Sequence, residues 1–189
     1  MQPDDIVISA AVRTPIGKFL GGLSKASAID IGVVAVQGAL EAAGAGAGDV
    51  DQVLFGMARQ AGSGPNPARQ IAMGAGLSET STAMTVNQAC ASGLRTITLA
   101  ARELRAGDAR AVIAGGVESM STIPFLLPNM RMGYRLGDRP VLDGNYQDGF
   151  TCPMVGGPMG STAETLAEQF EISRDEQDAF AVESQRKAG

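Results

Sequence analysis

Short apolar runs alternate with helical segments along residues 1–120 of the chain. The apolar runs predict four strands, at residues 6–11, 50–58, 81–86 and 110–119. Helices are predicted after Ser27, after Asn66 and over residues 91–106. Because strands that alternate with helices are joined by right-handed crossovers, this order indicates a largely parallel sheet covered by helices. We therefore predict an α/β fold.

The predicted helices carry local start and stop signals. Ser27 and Asp30 form a variant of the capping box at the start of the first helix, and Gly44 is placed to end it. Asn66 is a favourable N-cap, and Pro67 stands at the first helical position, where its missing N–H costs nothing.

Composition excludes several classes of protein. The net charge is −5 and no basic run is longer than two residues, which argues against nucleic acid as a partner. No apolar run approaches the roughly 18 residues of a membrane-spanning helix, so no membrane association is expected. Two cysteines and no histidine exclude the usual zinc sites. We expect a cytoplasmic protein with reduced thiols.

The character of the sequence changes near residue 121. Residues 121–160 contain many Pro, Gly and Met residues without clear periodicity, and such stretches are usually functional or form a subdomain. Two helices follow, at residues 161–170 and 173–189. We predict a core at residues 1–120 and part of a loop domain at residues 121–189. Because the last helix reaches residue 189 without a clear cap, we expect further sequence to be missing.

The segment "VNQACASGLR" places Cys90 between the predicted third strand and third helix. Ligands bind α/β sheets at the carboxyl ends of the strands, and a helix N-terminus favours a thiolate over a thiol. The small neighbours Ala91, Ser92 and Gly93 let a thioester approach, and the Cys90 N–H is placed to donate to its carbonyl oxygen. From position alone, the alternative is a buried structural thiol.

The same region resembles the acyl-enzyme signature of the thiolase family. The similarity lies in Asn87, Cys90, Ser92 and Gly93, together with the strand end "GGVESMS". Other thiolase-like segments are "AVRTPIGKFLGGLS", "GSGPNPARQIAMGAGL" and "MGSTAETLAEQFEISRDEQDAFAVESQ". They follow the order of the family and extend the resemblance over essentially all 189 residues.

The resemblance implies a five-layered αβαβα architecture of two similar halves with a loop domain, assembled as a homodimer or homotetramer. This chain would supply one half and the start of the loop domain. The implied reaction forms or cleaves 3-ketoacyl-CoA, as in fatty acid metabolism, with Cys90 as the acyl-thioester residue. The implied substrates are acyl-CoA and CoA, and neither a metal nor a redox cofactor is required.

The chain departs from the family pattern because thiolases also use a Gly-His-Pro and a Cys-x-Gly-Gly-Gly motif. Neither occurs here. Cys152, in "FTCPMVGG", is interpreted as a packing or pocket-wall residue. Glu118 is an alternative acid-base group, but we interpret it as structural, capping the turn into the loop domain.

These departures leave the chain with the nucleophile half of a site. A helix dipole contributes at most about 2 kcal/mol, which does not replace an acid and a base. The chain is therefore expected to be part of a longer enzyme or to need a second polypeptide. Alone, it is expected to expose an apolar face and to aggregate.

The substrate range is indicated only by the resemblance. Acetoacetyl-CoA-forming thiolases often have a His-Met pair before "GTTAEN", whereas this chain has "GPMGSTAET". Met159 is therefore kept as a substrate-binding residue, and Pro158 replaces the histidine. A 3-ketoacyl-CoA thiolase of broader substrate range is equally compatible with this sequence. Three arginines are interpreted as a solvated or oligomer-contact face: Arg131, Arg135 and Arg139.

Three alternatives to a complete thiolase enzyme fit the sequence to different degrees. A non-catalytic thiolase-like partner or fragment is favoured by the absence of histidine. A cysteine hydrolase is disfavoured because its Cys–His pair cannot be built from this chain. The related ketoacyl synthases share the fold, but their usual downstream histidines are missing and "GGVESMS" fits thiolases better.

Overall fold

The computed structural model describes residues 5–189. The chain divides into two compact units, the first ending at Asn145 and the second spanning Tyr146–Gly189. Each unit is described separately.

A three-stranded parallel sheet lies in the first unit. The strands are β1 (Gln52–Gly56), β2 (Thr82–Val86) and β3 (Val112–Gly116), in the spatial order β2-β1-β3. The register pairs Gly56 with both Val86 and Gly116, so all three strands end at the same level. We call this side of the sheet its carboxyl edge. The predicted parallel α/β arrangement is confirmed, although each strand is shorter than its apolar run.

The first helix, α1 (Ala28–Ala43), begins and ends as predicted. The Ser27 hydroxyl accepts the Asp30 N–H, and the Asp30 carboxylate accepts the Ser27 N–H, which completes the capping box. Gly44 ends the helix with φ of 62°, in the left-handed region that glycine adopts without strain.

The next two helices also follow their local signals. Helix α2 (Pro67–Gly74) starts after Asn66, whose side chain accepts the Arg69 N–H. Helix α3 (Ser92–Ala106) ends at Gly107, whose φ is 79°.

Helices cover both faces of the sheet. Val53 and Phe55 alternate with Leu54 and Gly56 along β1, so the two pairs point to opposite faces. The core around Val53 and Phe55 includes residues of α1 and α2: Val36, Ala68, Ile71 and Ala72. Helix α3 lies on the other face, because a Cβ on Gly56 would meet its first residue.

Helix α3 turns a small, polar face to the sheet. Its buried residues are Ser92, Thr96 and Ala100, and the Thr96 hydroxyl donates to the carbonyl oxygens of Gly93 and Gly115. Leu94 and Ile97 are 70% and 46% exposed. The apolar periodicity that predicted this helix therefore marks its outward face, and the predicted exposed apolar surface is present.

The prediction of a buried strand at residues 6–11 is wrong. These residues are not in a strand, and Ile8 is 76% exposed. A strand needs a neighbour to pair its backbone N–H and C=O groups. The edge strands of the parallel sheet are β2 and β3, and among residues 5–189 no strand pairs with residues 6–11.

The region after β3 is irregular, as predicted. Its short elements are a 3-10 turn at Met120–Thr122, the antiparallel pair β4 (Phe125–Leu126) and β5 (Leu142–Asp143), and a 3-10 turn at Met130–Met132. The N-terminal loop is attached to the start of this region. Leu20 donates its N–H to the Ser121 hydroxyl, and the Ser119 hydroxyl donates to the Ala26 carbonyl.

The second unit contains a π-helical turn at Tyr146–Phe150, strands β6 (Thr151–Cys152) and β7 (Gly157–Pro158), and helices α4 (Met159–Gln169) and α5 (Arg174–Ala188). The two predicted helices are confirmed. The capping box of α5, between Ser173 and Glu176, is formed. The proposed division into domains at residue 121 stays a prediction.

Candidate active site

Cys90 is exposed and lines a cleft in the first unit. The cleft has a volume of about 650 Å³, within the range of small-molecule sites. Its lining includes Glu118 and the basic residues Arg13 and Lys18. The exposed position of Cys90 excludes the alternative of a buried structural thiol.

The turn that carries Cys90 is held by its own hydrogen bonds. Ala89 has φ of 49°, a left-handed conformation that is uncommon for a residue with a Cβ. The Ser92 hydroxyl donates to the Ala89 carbonyl at 2.6 Å and accepts the Gln88 N–H at 2.9 Å. The Ala91 and Ser92 N–H groups donate to the carbonyls of Gln88 and Ala89. The Cys90 N–H is not among these donors.

Cys90 lies after β2 and just before α3, which is the predicted position between a strand and a helix. The N-cap is Ala91, and no side-chain hydrogen bond caps the helix there. The first N–H groups of a helix lack partners within the helix and carry partial positive charge. Cys90 therefore adjoins a helix N-terminus that no side chain caps.

Glycines let the start of α3 lie directly on the strand ends. A Cβ on Gly56 would fall 2.4 Å from the Ser92 carbonyl carbon, and one on Gly116 would fall 3.1 Å from the Gly93 Cα. Backbone therefore meets backbone at the carboxyl edge, and the turn before α3 is held there. Sequence reasoning did not identify Gly56 and Gly116, which lie within the predicted second and fourth strands.

Asn87 connects two neighbouring turns at this edge. Its side-chain oxygen accepts the Ala89 N–H at 3.0 Å, and its Nδ2 donates to the Ala58 carbonyl at 3.0 Å. Ala58 belongs to the turn that follows β1. Asn87 was noted in the sequence only as part of a motif, and the structure shows which contacts it makes.

Glu118 holds the same turn from the end of β3. Its half-buried carboxylate accepts the Ala58 N–H at 3.0 Å and the Arg59 N–H at 3.3 Å. Burial raises the pKa of Glu118 above its ordinary value of 4.5, and these hydrogen bonds and the Arg59 charge oppose that rise. The prediction that Glu118 caps the turn into the loop domain is wrong, because its carboxylate instead holds the turn after β1.

The remaining predicted residues lie in the second unit or on the surface. Cys152, in β6, is 7% exposed, as expected of a packing residue. Met159 is the first residue of α4 and is 48% exposed, and its role in substrate binding stays a prediction. Exposed side chains include those of Arg131, Arg135 and Arg139.

Among residues 5–189, no cluster of three or more His, Cys, Asp or Glu residues is arranged to hold a metal ion. No helix in this range has the length and apolar character needed to cross a bilayer.

A model of the thiolase N-terminal domain matches residues 6–189. The chain belongs to the thiolase family. Acetyl-CoA acetyltransferase of Escherichia coli K12 is 48% identical over 183 residues, which cover 96% of this chain and 46% of that protein. A protein of the same name from Cupriavidus necator is 47% identical over 184 residues, covering 97% of this chain and 47% of that protein.

The fold prediction is confirmed by a solved thiolase-family structure. Acetyl-CoA acetyltransferase from Syntrophomonas wolfei aligns with a TM-score of 0.83 and 40% identity, over 92% of this chain and 44% of that chain. This thiolase chain thus spans about half the length of the relatives it matches.

Proposed function

We propose that this chain supplies the nucleophile of an acyltransferase of the thiolase type, which forms or cleaves 3-ketoacyl-CoA. The observation that carries the proposal is the position of Cys90. It is exposed in a cleft, at the carboxyl edge of a parallel sheet and beside the uncapped start of α3. The names of the acetyl-CoA acetyltransferase relatives support the same reaction.

The first half-reaction transfers an acyl group to Cys90. The Cys90 thiolate attacks the thioester carbonyl carbon of an acyl-CoA, and the Cys90 N–H donates to the developing oxyanion. The bond between the acyl carbon and the CoA sulfur then breaks. CoA leaves as a thiolate that takes up a proton, and acyl-Cys90 remains.

In the second half-reaction, a second acyl-CoA loses a proton from its α-carbon. That carbon attacks the acyl-Cys90 carbonyl, a carbon–carbon bond forms, and the Cys90 thiolate leaves. Cleavage of a 3-ketoacyl-CoA is the reverse. These proton transfers require an acid and a base, and the chain contains no histidine. We propose that the acid-base groups come from polypeptide outside these 189 residues.

The finer properties rest on the family resemblance. We propose acyl-CoA and CoA as the substrates, no metal or redox cofactor, a role in fatty acid metabolism, and assembly as a homodimer or homotetramer. Met159 is proposed as a substrate-binding residue. We propose a cytoplasmic location because Cys90 must stay reduced to act as a nucleophile, and both Cys90 and Cys152 are free.

Turnover by the complete polypeptide that contains this chain tests the proposal. Acetyl-CoA is supplied, and formation of acetoacetyl-CoA and CoA is followed. We expect activity that is lost in Cys90→Ala and kept in Cys152→Ala, which removes the other thiol. Full activity in Cys90→Ala would refute the proposal.

A second candidate is a catalytically incomplete thiolase-like fragment or partner subunit. The absence of histidine and the exposed apolar face of α3 favour it. This candidate fails if the Gly-His-Pro and Cys-x-Gly-Gly-Gly motifs are encoded in frame after residue 189. It is supported if the chain gains activity only on addition of a separate polypeptide that carries both motifs.

A further inference from the structure

A continuous path of hydrogen bonds joins the end of β3 to the turn that carries Cys90. The Glu118 carboxylate accepts the N–H groups of Ala58 and Arg59. The Ala58 carbonyl accepts Nδ2 of Asn87, whose Oδ1 accepts the Ala89 N–H. Ala89 is covalently bonded to Cys90. The path therefore links the ends of all three strands.

The residue at the end of this path is the one that most needs support. Ala89 has φ of 49°, and a left-handed conformation in a residue with a Cβ is kept only where its surroundings fix it. Its N–H is fixed by Asn87, and Asn87 in turn needs the Ala58 carbonyl in place. The Glu118 carboxylate fixes Ala58 from the opposite side.

We propose that Glu118 is a positioning residue for Cys90, which acts through Ala58 and Asn87 on the turn that carries the nucleophile. The inference rests on the proposed function and adds to it a residue that need not touch the substrate. Reaction rates depend steeply on the position of the attacking atom, and a displacement of about 1 Å can cost about 100-fold. Loss of the Glu118 carboxylate should therefore slow the reactions of Cys90.

Asp51 offers a matched control at the other end of the sheet. Its carboxylate accepts the N–H groups of Arg110 and Ala111, at 2.7 and 3.2 Å. Asp51 immediately precedes β1, and its contacts precede β3. Glu118 and Asp51 thus each tie β1 to β3 through two backbone N–H groups, at opposite edges. Only Glu118 is connected to the Cys90 turn by the path described above.

The experiment uses the complete polypeptide that contains this chain, with wild type and the variants Glu118→Ala, Glu118→Gln and Asp51→Ala. Two rates are measured for Cys90: alkylation by iodoacetamide, and acetylation by acetyl-CoA as a function of its concentration. The thermal midpoint of each variant is recorded alongside. If Glu118→Ala does not fold, Glu118→Met replaces it, because Met has a similar length and cannot accept the two N–H groups.

We expect Glu118→Ala to lower both the alkylation rate and the acetylation rate of Cys90 by about tenfold or more. For acetylation, the loss should appear in the rate at saturating acetyl-CoA rather than in KM. Glu118→Gln keeps one carbonyl oxygen as an acceptor and should stay within about threefold of wild type. Asp51→Ala should leave both rates within about twofold of wild type, even if it lowers the thermal midpoint as much as Glu118→Ala does. The double variant Asn87→Ala/Glu118→Ala should react no more slowly than the slower single variant.

The inference is overturned if Glu118→Ala, or Glu118→Met in its place, reacts within about twofold of wild type, or if Asp51→Ala slows Cys90 equally. A double variant that multiplies the effects of both single variants overturns the path through Asn87. Failure of the proposed function is distinguishable, because the wild type would then form no acetyl adduct while the alkylation rates still rank the variants.

Discussion

Gly56 at the end of β1 lies directly against Ser92 at the start of α3, so closely that a Cβ on Gly56 would fall 2.4 Å from the Ser92 carbonyl carbon. The atoms nearest to this Cβ position are backbone atoms of Ser92 and Gly93, which cannot change rotamer as a side chain can. This contact sets the height of α3 above the sheet. It therefore also sets the place of Cys90, two residues before Ser92.

Replacing Gly56 by alanine should displace α3 from the sheet. We expect the free energy of unfolding to fall by about 1–3 kcal/mol, the usual cost of inserting atoms into a packed interior. Alkylation of Cys90 should slow as its turn moves. Urea unfolding and iodoacetamide kinetics measure the two effects. Gly38→Ala is the control, because its Cβ would meet nothing within 4 Å and alanine favours a helix by about 0.5–1 kcal/mol.

Removing the Asn87 side chain should loosen the turn that carries Cys90. Asn87→Ala loses the acceptor for the Ala89 N–H and the donor to the Ala58 carbonyl. We expect the rate of Cys90 alkylation to fall by about tenfold, with a loss of about 1–2 kcal/mol in the free energy of unfolding. Asn87→Asp restores only the acceptor and should be intermediate in rate. Equal rates in all three proteins would contradict the assigned role.

Glu118 should make stability depend on pH in a specific direction. Because burial raises its folded pKa above the ordinary 4.5, ionisation costs more in the folded state than in the unfolded chain. Its contribution is fully present below pH 4.5 and is lost as pH rises through the folded pKa. Relative to Glu118→Gln, wild type should therefore lose stability as the pH rises from 4.5 through the folded pKa. Urea unfolding of both proteins across this range checks the sign, and a difference that grows in favour of wild type would refute it.

The two cysteines should differ in accessibility. Cys90 is exposed and Cys152 is buried, so a thiol reagent should modify Cys90 rapidly and Cys152 only when its surroundings open. Peptide mapping after short exposure in native buffer and in urea distinguishes the sites. Cys90→Ala should change the free energy of unfolding by less than about 0.5 kcal/mol, whereas Cys152→Ala should lower it by about 1 kcal/mol. Rapid native modification of Cys152 would contradict the burial.

Features set by neighbouring residues were predictable from the sequence. Helix ends depend on contacts within a few positions along the chain, and the structure has the predicted ones. They are Ser27 with Asp30 and Gly44 for α1, and Asn66 with Pro67 for α2. The placement of Cys90 after a strand and before a helix was equally local. These signals were sufficient to predict the α/β order and the position of Cys90 between a strand and a helix.

Features that depend on distant partners were not predictable in the same way. An apolar run at residues 6–11 fits a strand, but no strand pairs with it among residues 5–189. The spacing of Leu94 and Ile97 correctly predicted a helix but not which face it buries. The close backbone contact at Gly56 and Gly116 leaves room only for the small residues of α3 against the sheet. The partners of Glu118 lie about 60 residues earlier in the chain, so its turn could not be identified from nearby sequence.

The most direct test is whether the sulfur of Cys90 carries the acyl group. The complete polypeptide is mixed with acetyl-CoA, quenched in acid and digested, and the peptide that contains residues 86–95 is examined by mass spectrometry. We predict an acetyl group on Cys90 that is removed when CoA is added before the quench. An unmodified Cys90 in a preparation that turns over acetyl-CoA, or an acetyl group on another residue instead, would contradict the account.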